Sequence, residues 1–311
     1  TDPPGQPDEP TGEDDAFAPY EGTWADITGN TAAASTDRVV ISFVGDGEAD
    51  GDVDVGWLTS DGQRPLSDYA GQIQTLQDRG VEVHVAMGGW DGRTIARDAD
   101  NATEVKRAYE RIVTELGVTH IDIDDENAQN RSPAVYRMRN DALAMLQEEY
   151  PEVEVSYTVP AGRNGIENRN YAPARDMVSD AAASGVEIEH VNIMVMGFSG
   201  DYPAIIDSAG QGTVEWLGTV YPEKSTAERR EMLGVTPNVG ESAFTQSDAR
   251  EVVQWAEDED IGLLSFWALY KSDSAAYSDI FYEFEDDEDG TDTPTDTPTD
   301  TPTDTQTDTP A

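Results

Sequence analysis

The chain has 311 residues and no cysteine, and its 64 acidic residues against 19 basic ones give a formal net charge of −45. This charge argues against nucleic-acid binding, because contacts to phosphate need basic patches. No run of 18 apolar residues occurs, so no membrane-spanning helix is expected. The length suits one α/β barrel.

The basic residues are unusual in kind as well as in number. Only three are lysines, Lys106, Lys224 and Lys271. At ordinary ionic strength so much like charge destabilises the compact state. At molar salt the Debye length falls to roughly 3 Å, and the repulsion is largely screened. The composition therefore predicts a halophilic source.

The two ends of the chain differ from its middle. Residues 1–16 hold no large apolar side chain and are expected to be a disordered leader or linker. Residues 285–311 are rich in Thr, Asp and Pro, with a TDTP repeat from Thr291 that favours an extended spacer. Such a spacer predicts a further module after residue 311. The folded unit is expected at 17–284.

Within this unit short apolar segments alternate with helical patterns. The apolar segments are 17–22, 39–45, 81–89, 118–126, 154–160, 190–198, 232–240 and 262–270. Helical periodicity lies between several of them, at 66–79, 103–116, 134–149 and 245–258. Eight strands alternating with helices predict an α/β fold, the (β/α)8 TIM barrel. A doubly wound sheet is the alternative, but it often opens with a glycine-rich phosphate turn that this chain lacks.

A row of carboxylates ends the fourth apolar segment. Side chains alternate along a strand, so Asp122, Asp124 and Glu126 share one face, while Asp125 and two isoleucines take the other. The isoleucines suit the apolar layer under the helices, which directs the three acids into the barrel. Catalytic residues of such barrels lie at the carboxyl ends of the strands, and this places Glu126 in the active site.

Three acids in line inside a barrel disfavour one another's ionised forms. Protons are then shared, and at least one pKa rises, which is how a general acid stays protonated near neutral pH. The pattern alone also fits a polar surface strand in a very acidic protein.

The same stretch resembles the signature D-x-x-D-x-D-x-E of a known family, with Thr119 in place of the first aspartate. Further segments match in the expected order, namely VAMGGWDG (85–92), SYTVP (156–160), NIMVMGF (192–198), GVTPNVG (234–240) and LLSFWAL (263–269). Together they resemble glycoside hydrolase family 18, and most closely its bacterial and archaeal chitinases.

The resemblance implies a hydrolase of β-1,4-linked N-acetylglucosamine polymers that retains the anomeric configuration. Glu126 would protonate the glycosidic oxygen, and the substrate's own acetamide would attack the anomeric carbon. Asp124 would orient the acetamide, and Asp122 would share a proton with Asp124. Chitin or its oligosaccharides are then the partners, without cofactor or metal. Secretion and a monomeric catalytic domain are expected.

The resemblance also implies the substrate contacts. Trp267 would stack beneath a sugar ring. The further contacts expected are Tyr157, Met194, Met196, Trp90 and Phe43. One departure stands in the sixth-strand motif, where Gly197-Phe198 replaces the usual Asp-Tyr pair. The absence of the Asp-Tyr pair is expected to lower activity or to change the sugar preference.

Two other functions stay open from the sequence. One is an endo-N-acetylglucosaminidase acting on N-glycans, and the other is a non-catalytic, lectin-like barrel. Retention of Glu126 argues against the lectin. His84, His120 and His190 lie one to a strand and are expected to line the barrel or its core rather than to form a metal site.

Overall fold

A computed structural model describes most of the central part of the chain. The described residues are 16–47, 53–60, 62–90, 92–124, 126, 132–169, 172–240 and 243–286. Most of the expected leader (1–16) and linker (285–311) lies outside them, as does Asp125 of the carboxylate segment. Ala16 instead begins the first strand, and residues 285 and 286 end the last helix.

Twelve strands and ten α-helices are found in this part of the chain. The strands are β1 (Ala16–Phe17), β2 (Tyr20–Gly22), β3 (Arg38–Gly45), β4 (Gly56–Thr59), β5 (Gly62–Pro65), β6 (Glu82–Gly88), β7 (His120–Asp124), β8 (Glu154–Gly162), β9 (Gly165–Ile166), β10 (Val191–Val195), β11 (Leu233–Pro237) and β12 (Leu263–Leu264). The helices are α1 (Ile27–Ala32), α2 (Ser67–Gln77), α3 (Ala102–Leu116), α4 (Pro133–Glu149), α5 (Ala174–Ala183), α6 (Tyr202–Val220), α7 (Thr226–Glu231), α8 (Gln246–Glu259), α9 (Ser274–Phe281) and α10 (Glu283–Asp286).

The strands close into a barrel. Seven of them run β3-β6-β7-β8-β10-β11-β12, all parallel. The first apolar segment supplies two short pieces: β1 pairs with β12, Phe17 opposite Leu264, and β2 pairs with β3, Tyr20 opposite Val40. The first apolar segment therefore lies between β12 and β3 and closes the barrel. The predicted (β/α)8 barrel is confirmed.

The helical predictions also agree with the structure. Each of the four predicted helices is present, as α2, α3, α4 and α8, and two helices that were not predicted, α6 and α7, precede β11. The α3 helix shows how local chemistry sets the bounds. The Asn101 side chain accepts a hydrogen bond from the Glu104 amide at 3.2 Å, and Gly117 ends the helix in the left-handed region at φ 65°. The antiparallel hairpin of β4 and β5 was not expected from the sequence.

The apolar core lies mainly between the barrel and its helices. The outward residues Ile121, Ile123, Val155 and Val159 are buried there, each contributing about 1.5–3 kcal/mol. Small and aromatic side chains fill part of the barrel interior instead. Among the described helices none is long and apolar enough to cross a bilayer. Strand alternation thus directs apolar side chains outward and leaves the inner face for polar groups.

Candidate active site

The carboxylate row lies inside the barrel, as strand alternation predicts. Asp122 and Asp124 are 2% and 3% exposed, while the two isoleucines of β7 face the helices. Glu126 follows the end of β7 and is half-buried. The row therefore rises from the interior to the mouth, which here means the carboxyl ends of the parallel strands.

Asp122, the deepest acid, is surrounded by hydroxyl groups. Its Oδ2 accepts from Tyr20 Oη at 2.7 Å. Its Oδ1 accepts from Ser156 Oγ and Thr158 Oγ1, each at 2.9 Å. Burial raises the pKa of Asp122, but these three hydrogen bonds and the charge of His120 oppose that rise. Three donors to one carboxylate favour its ionised form.

Asp124 has a different environment. Its Oδ1 is buried and has no hydrogen-bond partner. Burial, followed by the charges of Glu126 and Asp122, raises the pKa of Asp124 well above its usual range. Each of these causes favours the protonated form of Asp124. The expected sharing of a proton between Asp122 and Asp124 stays a prediction.

Above these acids opens a cavity of about 200 Å³. Its aromatic and sulfur-containing walls are Phe43, Trp90, Met194, Met196 and Trp267, all of them expected substrate contacts. Its polar lining consists of Tyr20, Asp124, Glu126, Thr158, Thr236 and Asn238. A pocket with apolar walls and a few convergent polar groups is typical of small-molecule sites.

Trp267 stands at the centre of an aromatic cluster. Its ring stacks on Phe43 at 5.6 Å with the planes 17° apart, and lies 6.0 Å from Trp24 and 5.9 Å from Tyr270. Trp24 and Trp90 are 52% and 61% exposed, unusually so for tryptophan. The mouth thus presents flat apolar faces to solvent, the kind of surface on which sugar rings stack.

One expected substrate contact lies elsewhere. Tyr157 is fully buried on the outer side of β8, where its Oη donates to Asn140 Oδ1 at 2.8 Å and its ring lies 5.3 Å from the Arg139 guanidinium. Its neighbours Ser156 and Thr158 point inward, so strand parity puts Tyr157 on the opposite face. The assignment of Tyr157 to substrate binding was wrong.

The departure in the sixth-strand motif has a local explanation. Gly197 has φ 70°, and no heavy atom lies within 4 Å of the position that its Cβ would take. Phe198 turns its ring toward Arg163, whose guanidinium lies 5.2 Å from the ring centroid, and its amide donates to Tyr202 Oη at 3.1 Å. An aromatic–cation contact therefore stands where the family usually has Asp-Tyr.

Several polar site residues were missed by the sequence analysis. Thr158 Oγ1 accepts from Asn192 Nδ2 at 3.0 Å, and Asn192 Oδ1 accepts from Thr236 Oγ1 at 2.8 Å. This line crosses β8, β10 and β11 beside the acids. The inward parity of these strands could have identified the three residues. Trp24, which follows β2, had no such signal.

The three histidines lie at the base, by which we mean the amino ends of the parallel strands. His84 and His120 stack with ring centroids 3.9 Å apart and planes 4° apart. Together with His190 they line a second cavity of about 420 Å³, larger than the one at the mouth. They line the barrel as expected, but they are brought together there and lie beside several glutamates.

No family model matches the chain. Two curated proteins are similar in sequence. The probable bifunctional chitinase/lysozyme of Escherichia coli (strain K12) is 27% identical over 234 residues, or 68% of this chain and 26% of that protein. Endochitinase 11 of Metarhizium anisopliae is 27% identical over 239 residues, or 70% of this chain and 45% of that protein. The chain therefore spans between about a quarter and a half of these relatives.

Solved structures resemble the barrel over nearly its full extent. The catalytic domain of the hyperthermophilic chitinase from Pyrococcus furiosus superposes with a TM-score of 0.75 and 24% identity, covering 87% of this chain and 95% of that domain. A GH18 chitinase from Pseudoalteromonas aurantia gives 0.62 and 13%, covering 86% and 99%. The chain thus has the (β/α)8 fold of chitinase catalytic domains, and its sequence is similar to proteins named as chitinases.

Proposed function

We propose that this barrel hydrolyses β-1,4-linked N-acetylglucosamine polymers, as a retaining chitinase that uses the substrate's acetamide as nucleophile. The observation that carries the proposal is the pair formed by Asp124 and Glu126 in one aromatic pocket. Asp124 holds a buried oxygen without a hydrogen-bond partner, and Glu126 lies above it at the mouth. A bound acetamide N–H would satisfy that oxygen. The similarity to chitinases supports the same substrate class.

The proton on Asp124 has a use in this scheme. Passing it to Glu126 provides the general acid and leaves Asp124 ionised beneath the acetamide. Glu126 then protonates the glycosidic oxygen while the acetamide oxygen attacks the anomeric carbon and forms a cyclic oxazolinium ion. Asp124 stabilises the positive charge of that ion, and Asp122 lies beneath Asp124, where it accepts hydrogen bonds from three hydroxyl groups.

Water completes the reaction. It adds to the anomeric carbon from the face that the leaving group vacated and gives a proton back to Glu126. Two inversions at one carbon restore the β configuration. Trp267 forms the platform for the sugar that undergoes this chemistry, with Phe43 stacked on it and Met194 and Met196 lining the same pocket.

The test of the proposal replaces the acid with its amide. Glu126→Gln keeps the shape of the side chain but cannot protonate the leaving oxygen, so hydrolysis of chitin oligomers in high salt should fall by several orders of magnitude. Oligomer binding should persist. Glu251→Gln, at an exposed position of α8, removes the same charge and should leave the rate unchanged. Retention of more than about a tenth of the wild-type rate by Glu126→Gln would contradict the assignment.

The wild-type protein separates the alternative functions. Binding of oligomers without cleavage would indicate a lectin, and cleavage of N-glycan cores in preference to chitin would indicate an endo-N-acetylglucosaminidase. The Phe198 and Arg163 contact at the mouth is the feature most expected to shift the preference among acetamido sugars.

Product stereochemistry tests the mechanism. Early proton NMR of the products should show the β anomer at the new reducing end, and chitosan should be cut poorly wherever the sugar on the non-reducing side of the bond lacks its acetyl group. A predominance of the α anomer would indicate direct attack by water. That reaction needs a second carboxylate roughly 6.5–9.5 Å from the acid on the other face of the sugar.

The charge of the chain supports a further proposal, secretion into a saline medium. Of the three lysines, Lys106 is buried and held by Glu110 and Glu149 at 2.9 and 2.6 Å. The 19 basic residues offset less than a third of the 64 acidic ones, and the net charge of −45 is what remains. Unfolding curves should shift to lower stability as NaCl is diluted below roughly 0.5 M. Curves that coincide in dilute and multimolar salt would refute the salt adaptation.

A further inference from the structure

The base of the barrel gathers ionisable side chains that the proposed chemistry does not use. Three of them come from neighbouring positions on the strands. His120 begins β7, Glu154 begins β8, and Glu189 precedes β10. One ligand atom from each of these residues lies within 4.8 Å of the others. His120 and Glu154 are register partners in the β7–β8 ladder, so the backbone fixes their approach.

The distances match a small metal ion. His120 Nδ1 lies 3.4 Å from Glu154 Oε2 and 3.4 Å from Glu189 Oε2. Ligands bound tetrahedrally at about 2.0–2.2 Å are separated from one another by about 3.3–3.6 Å. The side chain of His120 is 4% exposed, whereas those of Glu154 and Glu189 are 51% and 23% exposed, which gives an ion a path from solvent.

A second feature points to a ligand independently of these distances. His190 is 7% exposed and lines the same cavity, and its Nδ1 is buried with no hydrogen-bond partner. This nitrogen lies 4.0 Å from Glu189 Oε1, beyond hydrogen-bonding distance. Burying an imidazole nitrogen without a partner costs free energy, unless a further group bonds to it. A metal held by Glu189 would lie beside it.

We propose that His120, Glu154 and Glu189 form a binding site for a divalent transition-metal cation of the Zn²⁺ class, in which a water molecule completes a four-coordinate geometry. An imidazole nitrogen with two carboxylates suits Zn²⁺ or Co²⁺, while Mg²⁺ and Ca²⁺ prefer six or more oxygens. Binding fixes one tautomer of His120, because the metal takes Nδ1 and leaves the proton on Nε2.

That tautomer fits the hydrogen bonds above the site. His120 Nε2 lies 2.9 Å from Ser156 Oγ, and Ser156 Oγ donates to Asp122 Oδ1 at 2.9 Å. With the metal on Nδ1, His120 donates to Ser156 and Ser156 donates to Asp122, so every proton in the chain points toward the carboxylate. The cation at the base is thereby linked to the deepest acid of the active site.

Zinc uptake by the full chain tests the site. Protein freed of metal with a chelator is titrated calorimetrically with ZnCl₂ in about 1 M NaCl, where the short Debye length suppresses diffuse cation binding by an acidic surface. One ion should bind per chain with micromolar or tighter affinity, and Tm should rise by about 5 °C at saturation. Co²⁺ bound in its place should show the intense visible absorption of four-coordinate cobalt. Failure of the wild-type chain to take up either ion would overturn the proposal.

Variants distinguish coordination from charge attraction. Glu154→Gln and Glu189→Gln should each weaken zinc binding at least about tenfold. The control is Glu82→Gln, in the same cavity, whose carboxylate instead contacts His84 Nε2 at 3.2 Å. If zinc were held by charge attraction alone, all three variants would lose zinc affinity to the same extent, and that result would refute the site. Circular dichroism of each metal-free variant establishes that it is folded. The cobalt spectrum of the wild-type chain shows whether the metal is coordinated, independently of the variants.

Discussion

The two ends of the barrel place the same kinds of ionisable group in opposite electrostatic environments. At the base, carboxylates lie against cationic or imidazole partners, as Glu82 does with Arg38 and His84. At the mouth, the acids lie against aromatic rings and against each other, and a buried oxygen of Asp124 has no hydrogen-bond partner. Both ends are built on the same parallel strands.

The pKa values express this difference. At the base, the hydrogen bond from His84 lowers the pKa of Glu82 to about 2, although partial burial opposes it. At the mouth, burial and two neighbouring acids raise the pKa of Asp124 well above its usual range. A protein tolerates such a raised pKa at the cost of stability, which is typical of a site that must hold and transfer a proton.

Among the variants that test this contrast, Asp124→Asn is expected to have the largest effect. The asparagine keeps the shape of the side chain but cannot become an anion beneath the acetamide, so turnover of chitin oligomers should fall by about 10²–10³. Tm at neutral pH should not fall, because ionising the buried carboxylate opposes folding. Asp68→Asn, at an exposed position of α2, is the control. A variant that keeps its turnover but loses stability would make Asp124 a structural residue.

The aromatic wall of the mouth comes next. Trp267→Ala removes the surface under the sugar and should lower kcat/KM on chitin oligomers by about 10–100-fold, as expected for the loss of 1.4–2.7 kcal/mol of stacking and burial. Trp57→Phe is the control, since Trp57 is fully buried outside this pocket and its Nε1 donates to Leu66 O at 3.2 Å. Equal losses in the two variants would show that the effect comes from the fold.

Two glutamates, one near each end of the barrel, test how this difference in pKa affects the stability of the fold. Burial raises the pKa of Glu21, near the mouth end of β2, to about 7. The unfolded chain releases that proton near pH 4.5, so the folded state loses stability as pH rises from 4.5 through 7. Glu21→Gln should therefore gain roughly 2 kcal/mol over wild type at about pH 8 and nothing near pH 4, as measured by thermal unfolding.

Glu82→Gln should show the reverse sign. Its pKa of about 2 means that Glu82 contributes stability above pH 4.5 and that this contribution is lost as pH falls through 2. Because the side chain is 45% exposed, solvent screening reduces the expected loss at neutral pH to about 1 kcal/mol. If Glu21→Gln and Glu82→Gln changed the free energy of unfolding in the same direction at about pH 8, the contrast between the two ends would be contradicted.

The smallest effect concerns a residue that belongs to neither end. Tyr157→Phe removes only the hydroxyl that donates to Asn140, so the free energy of unfolding should fall by about 1 kcal/mol. Turnover of chitin oligomers should stay within about twofold of wild type, because Tyr157 faces the helices. A large loss of activity at unchanged stability would show that Tyr157 takes part in substrate binding after all.

Much of the architecture could be predicted because it follows from local patterns. Alternation along 121–126 placed the acids inside and the isoleucines outside, and the eight apolar segments each contain a barrel strand. The same parity rule, applied to β8, would have placed Tyr157 outside and Thr158 inside. That error arose from relying on a motif in place of the strand geometry that had worked for β7.

The sequence by itself determined the barrel, the inward row of acids and the charge, since all three depend on residue type and periodicity along one strand or helix. Only the tertiary structure decided what meets across strands. It set Trp24 against Trp267, surrounded Asp122 with three hydroxyl groups from two strands, and gathered His120 with Glu154 and Glu189 at the base. The physical reason is register, because the stagger between strands depends on the closure of the whole barrel.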